Sequence, residues 1–175
     1  LCADLDFWSI NDHAEGISPQ HWSETIDAIA ECNERSGDPL DPDSVAFLGW
    51  EWSQVGGTPD DHYGHKNVIF LETERAKVPK RPIAAPRPEF RVAAIPFVGR
   101  MLFSAVEPSK AGIYADYAFY TEEVSSVPYC DPEVDTRELP LDCHEVAVHP
   151  RDLHDKLDAW NTPSIVIPHG TTWGL

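Results

Sequence analysis

Four side chains of the types that bind metal ions stand beside apolar runs of this sequence. His13 follows the first run, in SINDHAEG, and His169 ends the last, in IVIPHGTTWG. Glu51 lies near the end of FLGWEWSQ, and His65 opens the run KNVIF. Three of the four therefore follow or end predicted strands, and the carboxyl ends of strands are where α/β proteins bind ligands. Imidazole together with carboxylate suits zinc, manganese or iron, so the pattern predicts a site for such divalent ions.

Each of these residues also has an ordinary structural interpretation. A single histidine near a strand end is usually a hydrogen-bonded surface or core group. Glu51, between Trp50 and Trp52, is harder to explain in this way, because burying a carboxylate without a partner is costly. It should face a cation or hydrogen-bond donors, and the joint pattern favours a metal site.

Residues close to these four are candidates for further roles. Asp12, Glu15 and His62 are candidates for proton transfer or for orienting the ligands, and His62 could equally be a ligand or a substrate contact. Lys66 is a candidate contact for an anionic substrate, with a surface position as the alternative. Trp52 is a candidate wall of the binding pocket, with core packing as the alternative.

The spacing of apolar residues predicts an α/β fold in a single domain covering residues 1–175. Strands are expected at 5–10, 45–52, 66–71 and 164–169. Helices are expected after Ser18-Pro19, where a capping side chain precedes a proline, and over HPRDLHDKLDAW. This order of elements predicts a layer or barrel with a mainly parallel sheet.

Residues 72–145 are predicted to be an irregular insertion folded over one face of the core. They contain more than half of the 16 prolines and show little sustained periodicity. Short helices are expected near 92–105 and 112–120.

The four cysteines fit none of the close-paired zinc spacings. One interpretation is two local disulfides, Cys2–Cys32 and Cys130–Cys143, in a periplasmic or secreted protein. The alternative is four unpaired buried thiols in a cytoplasmic enzyme.

The charge balance restricts the partners. The chain has 13 Lys and Arg against 30 Asp and Glu, a net charge of −17. The negative electrostatic field of such a charge repels phosphate backbones, so nucleic acid is not expected as a partner. No apolar run is long enough to span a membrane. The oligomeric state is left open.

The motifs together resemble the polymerase-and-histidinol-phosphatase (PHP) superfamily. Asp12-His13, after an apolar strand, is similar to its second motif, and Gly49-Trp50-Glu51 is similar to the segment with its metal-bridging glutamate. His65 matches the next ligand histidine, and Pro168-His169 is similar to the third motif. The strings DFWSINDHAEG, GWEWSQ, HYGHKNVIF and IPHGTTWG resemble, more narrowly, a bacterial subfamily catalogued as a domain of unknown function. The resemblance implies a distorted β/α barrel, two or three divalent metal ions and phosphoester hydrolysis.

The sequence also departs from that superfamily. The His-x-His pair that such enzymes carry near their amino end is missing, and no Asp-x-His pair follows Pro168-His169. The encoded metal site is therefore expected to be incomplete. The 175 residues alone are expected to bind metal weakly and to hydrolyse nothing measurable, and a longer chain, extended in both directions, to recover both.

The expected mechanism is attack by a metal-activated water on a small anionic ester. Two alternatives remain open. The same metal chemistry could act on C–N, lactone or sulfate-ester bonds, or the chain could be a non-catalytic secreted module with structural histidines.

Overall fold

The computed structural model describes residues 5–86 and 97–171. Its strands, in chain order, are β1 (Phe7–Ser9), β2 (Gly37–Asp38), β3 (Asp41–Pro42), β4 (Val45–Phe47), β5 (Gly49–Gln54), β6 (Gly64–Phe70), β7 (Ile83–Ala84), β8 (Glu145–Val146) and β9 (Ser164–His169). Its helices are α1 (Pro19–Glu34), α2 (Phe97–Val106), α3 (Ala111–Ser126) and α4 (Pro150–Trp160), with 3₁₀ turns at Ala14–Gly16 and Pro108–Lys110.

Helix α1 begins where the sequence predicts it. Ser18 adopts an extended backbone, and its hydroxyl accepts a hydrogen bond from the His21 amide at 3.1 Å, while Pro19 occupies the first helical turn. Trp22 and Ile26 lie on the buried face of the helix. At its far end, Asn33 exchanges two hydrogen bonds with the backbone of Ala46, at 2.8 and 3.0 Å, which anchors α1 to β4.

The central strands combine parallel and antiparallel pairing. β1 pairs with β4 in parallel, and β5, β6 and β9 form a three-stranded sheet in which both neighbouring pairs are antiparallel. The prediction of a mainly parallel sheet is wrong for this sheet. The loop between β5 and β6 is too short for the crossover of a dozen or more residues that parallel neighbours need. The described strands form open sheets, so the barrel stays a prediction.

Most predicted elements lie close to their expected positions. The strand expected at 45–52 is divided at Leu48, because β4 pairs with β1 and β5 with β6. Helix α4 and strand β9 are confirmed, and Asn161 ends α4 in the left-handed conformation, with φ of 53°. The helices expected near 92–105 and 112–120 correspond to α2 and α3, apart from residues 92–96, which lie outside the described residues.

The core lies on one face of the sheet. Alternation along β5 and β6 buries Trp50, Trp52 and Phe70 on that face, where Trp50 packs against Trp22 of α1 with ring centroids 5.3 Å apart. The opposite face of β5 therefore carries Gly49, Glu51 and Ser53.

The chain divides into two compact units. The first comprises the residues up to Pro86 and those from Tyr129 onward, and the second runs from Arg87 to Pro128, with α2 and α3 as its described helices. Part of the predicted 72–145 insertion belongs to the core of the first unit, since Val78 and Ile83 are buried there. Among the described residues, no helix has the length and apolarity needed to cross a membrane.

A disulfide and a buried arginine fix the loop that precedes β8. Cys130 and Cys143 are bonded, with an S–S distance of 2.00 Å and Cα atoms 4.9 Å apart, as predicted. The guanidinium of Arg81 donates to the Leu139 carbonyl at 2.8 Å and to the Glu145 carboxylate at 3.2 Å. The other predicted bond involves Cys2, which lies outside the described residues. Cys32 is exposed and bonded to no described cysteine.

Candidate metal site

Strand register brings the four candidate ligands to one edge of the sheet. His65 pairs with Ser53 on one side and with His169 on the other, and His13 forms a parallel bridge with Glu51. β5 and β9 run in the same direction because both are antiparallel to β6. The carboxyl ends of β5 and β9 therefore meet the beginning of β6, which is why His65, at the start of its strand, joins residues at strand ends.

Glu51 is the centre of the cluster. Its Oε1 lies 2.5 Å from His65 Nδ1 and 3.6 Å from His13 Nδ1, and its Oε2 lies 3.5 Å from His169 Nε2. One ligand atom from each of His13, Glu51 and His65 lies within 4.8 Å of the others. His65 of β6, His169 of β9 and His13, which follows β1, thus each have a ring nitrogen near one carboxylate.

Ser53 is a member of the cluster that the sequence analysis missed. Its hydroxyl lies 2.7 Å from Glu51 Oε1, 2.8 Å from His13 Nδ1 and 3.0 Å from His65 Nδ1. The signal that could have found it is the strand period of two, because a residue two positions after Glu51 lies on the same face.

The carboxylate of Glu51 is held in its ionised form. Burial acts to raise its pKa, since only 14% of the side chain is exposed. Hydrogen bonds from Ser53 and His65, with the charges of the two nearby imidazoles, outweigh burial and lower the pKa below its ordinary value of 4.5. The pocket therefore presents a stable anionic ligand.

The predicted supporting residues lie at the rim of the cluster. Glu15, in the 3₁₀ turn after His13, has a side chain only 6% exposed, with Oε2 3.8 Å from His13 Nδ1. Asp12 is exposed, and its backbone carbonyl accepts from the Glu51 amide at 2.8 Å. His62 Nε2 lies 3.1 Å from the carbonyl oxygen of Gly170, the residue after His169.

Lys66 and Trp52 lie on the opposite face of the sheet from the cluster. They are paired across β5 and β6, with the Lys66 ammonium 4.8 Å from the centre of the Trp52 ring. Lys66 donates to the Tyr63 carbonyl at 2.7 Å, and burial lowers its pKa. The structure does not bring these two predicted substrate contacts to the candidate ligands.

The spacing of the donor atoms matches that of a metal site in part. A tetrahedral zinc ion with bonds of about 2.0–2.1 Å holds its donor atoms about 3.4 Å apart. The 3.5 Å distance from Glu51 Oε2 to His169 Nε2 fits that spacing. His13 approaches Glu51 through Nδ1, which lies 2.8 Å from the Ser53 hydroxyl, so Nε2 of His13 is the nitrogen left for a cation. The 2.5 Å contact with His65 Nδ1 is a hydrogen-bond distance instead, so the other nitrogen of His65 is the one suited to a cation.

The same residues do not fit a serine–histidine–acid relay. Such a relay needs the hydroxyl and the carboxylate on opposite nitrogens of one imidazole. Here Ser53 and Glu51 both approach Nδ1 of His65. The geometry therefore favours cation binding over a nucleophilic serine.

Below the cluster, the same face of the sheet is mostly apolar. A cleft of about 600 Å³ lies there, lined by side chains that include Phe7, Phe47, Ile69, Ile165 and Ile167. Phe7 and Ile165 are 68% and 64% exposed. The candidate ligands thus lie at the polar end of a mostly apolar sheet face.

No family model, no curated protein and no solved structure matches the chain.

Proposed function

We propose that the chain carries the divalent-metal site of a hydrolase that cleaves small anionic esters, with His13, Glu51, His65 and His169 as ligands. The observation that carries the proposal is the position of Glu51. Its two carboxylate oxygens face imidazoles from different parts of the sheet, Oε1 towards His13 and Oε2 towards His169. Because Oε1 already accepts hydrogen bonds from Ser53 and His65, Oε2, beside His169, is the oxygen suited to bind a cation. The resemblance to the PHP superfamily supports phosphoesters as the substrate class.

A divalent ion at this position would lower the pKa of water towards neutrality and offset charge developing on the ester. Residues of the chain would hold the ligands and the substrate in position. Glu15, buried next to His13, is placed to hold its imidazole or to accept a proton. His62 is fixed to the backbone beside His169 and is placed to contact the substrate.

Net charge also favours a cation in the site. At −17, the protein repels an anionic substrate, and Lys66 is buried on the other face. A bound metal ion would supply the local positive charge that such a substrate needs.

The disulfide supports an exported location. The bond between Cys130 and Cys143 is of the kind that persists in oxidising compartments. We therefore propose that the protein works in the periplasm or outside the cell.

Metal binding by substituted chains tests the site. Zinc and manganese affinities are measured by calorimetry for the wild type, Glu51→Gln and His169→Ala. Each substitution removes a proposed ligand, so we expect affinity to fall at least about tenfold. Glu34→Gln and His154→Ala, which change exposed residues outside the cluster, are the matched controls and should bind like the wild type.

Equal affinities for the ligand variants and their controls would contradict the metal site and favour a non-catalytic module. If metal binds as proposed, a panel of chromogenic phosphate, sulfate and lactone substrates identifies the bond that is cleaved. Hydrolysis of sulfate or lactone substrates alone would retain the metal site but contradict phosphoester chemistry.

A further inference from the structure

The hydroxyl of Ser53 occupies an unusual position for a buried strand residue. It is 6% exposed and lies within hydrogen-bonding distance of a carboxylate and two imidazoles. A hydroxyl has one proton to donate and lone pairs to accept with, so three such contacts restrict where every proton of the group can be.

Counting donors and acceptors assigns those protons. An ionised carboxylate only accepts, so the 2.5 Å contact between Glu51 Oε1 and His65 requires a proton on His65 Nδ1. For the same reason Ser53 donates its one proton to Glu51. The 2.8 Å contact between Ser53 and His13 is then a hydrogen bond only if His13 Nδ1 carries a proton and donates it.

We propose that Ser53 is a positioning residue, which holds His13 in the Nδ1–H tautomer and so leaves the lone pair of its Nε2 for a cation. The inference rests on the proposed metal site. His65 is held in the same tautomer by two acceptors, Ser53 and Glu51. His13 Nδ1 lies 2.8 Å from the Ser53 hydroxyl, whereas the carboxylates of Glu51 and Glu15 lie 3.6 and 3.8 Å from it, beyond hydrogen-bond distance. Metal-binding histidines commonly donate their second ring N–H to a fixed acceptor, which sets the tautomer and the ring orientation.

The proposal explains why a polar residue stands at this point of β5. Ser53 pairs with His65 across the strands and lies two residues after Glu51, so it is the position from which one hydroxyl reaches both. His13 lies in the segment that follows β1, and 53% of its side chain is exposed. Without the hydroxyl, an imidazole this exposed would exchange between tautomers and ring orientations.

Ser53→Thr and Ser53→Val test the inference as a matched pair. Both add a methyl group and suit a β-strand, and they differ only in the hydroxyl. Tautomers are read in the metal-free protein from long-range ¹H–¹⁵N couplings at about pH 8.5, on the alkaline side of the range in which free imidazole changes charge. Zinc affinity is measured on the same samples, and Ser53→Ala gives a second hydroxyl-free variant in case the added methyl is not tolerated.

We expect His13 to be in the Nδ1–H form in the wild type and Ser53→Thr, and to shift towards Nε2–H in Ser53→Val and Ser53→Ala. His65 should keep its proton on Nδ1 in all four, because Glu51 still accepts from it. Zinc affinity should be about 10–100-fold lower in Ser53→Val than in Ser53→Thr.

Two results would overturn the role of Ser53: an Nε2–H tautomer of His13 in the wild type, or equal tautomers and zinc affinities in the Thr and Val variants. Failure of the wild type to bind metal, with the expected tautomers present, would instead overturn the proposed metal site.

Discussion

Glu51 has most of its carboxylate side chain withdrawn from water, yet it remains charged. The compensation is local and can be named atom by atom: a hydroxyl proton from Ser53 and an N–H from His65, both on Oε1. These contacts use one oxygen, and the other faces His169. At the scale of single residues, Oε1 of the carboxylate is therefore stabilised by hydrogen bonds, and Oε2 is available to bind a cation.

The lowered pKa of Glu51 predicts how stability depends on pH. Because the folded pKa lies below the ordinary value of 4.5, folding favours the ionised form. The resulting stabilisation is complete above the unfolded pKa and is lost as the pH falls through the folded pKa. The difference in unfolding free energy between the wild type and Glu51→Gln should therefore shrink on acidification.

Urea unfolding of both proteins from about pH 7 to about pH 3, at constant ionic strength, measures this difference. Constant ionic strength is the control, since it keeps the screening of the other charges fixed. A difference that does not change with pH over this range would contradict the assigned pKa shift.

At the scale of elements, the site depends on where β6 begins and β9 ends. Gly64, just before His65, has φ of +68°, and a Cβ there would lie 2.6 Å from the Gly170 carbonyl oxygen. Gly170 itself has φ of +58° and packs against the His65 ring. The strands that carry His65 and His169 can approach so closely because both positions are glycine.

Gly64→Ala should therefore lower the unfolding free energy by about 1–3 kcal/mol through backbone strain and the contact with Gly170. It should also weaken zinc binding, because it separates His65 from His169. Gly57→Ala, at a position where a Cβ meets no atom within 4 Å, is the control and should change stability little. Chemical denaturation and calorimetry measure both effects. Stability and zinc affinity equal to those of Gly57→Ala would show that the approach of the two strands tolerates a side chain.

At the scale of the whole molecule, charge repulsion is the dominant long-range term. Acidic residues outnumber basic ones by 17, whereas an exposed ion pair such as Arg75 with Asp27 contributes at most about 1 kcal/mol. Salt should therefore screen more repulsion than attraction. This is the opposite of what is expected for a chain stabilised mainly by surface ion pairs.

We expect the thermal midpoint to rise when sodium chloride increases from about 10 mM to about 300 mM, as the screening length falls from roughly 30 Å to below 10 Å. Differential scanning calorimetry in the absence of divalent ions measures the change. Potassium chloride is the control, since screening depends on ionic strength and not on the identity of the monovalent ion. A midpoint that falls with salt would show that ion pairs outweigh net repulsion.

Local patterns in the sequence were enough to predict several elements and the candidate ligands. Ser18 and Pro19 give the start of α1 because capping depends on the hydrogen bonds of adjacent residues. The alternating tryptophans around Glu51 show that the carboxylate points away from the core. The short separation of Cys130 and Cys143 made their pairing predictable.

Other features were decided only by tertiary structure, since they depend on pairing between distant segments. β6 pairs with β9, which lies far away along the chain, and this pairing places His65 beside His169; no local pattern in either strand encodes it. Register decides that Lys66 faces Trp52 and that Ser53 faces His65; a shift of one residue would exchange the two faces. Side-chain types are local and can be read from a sequence, whereas the contacts that give them a role form only when the strands pair.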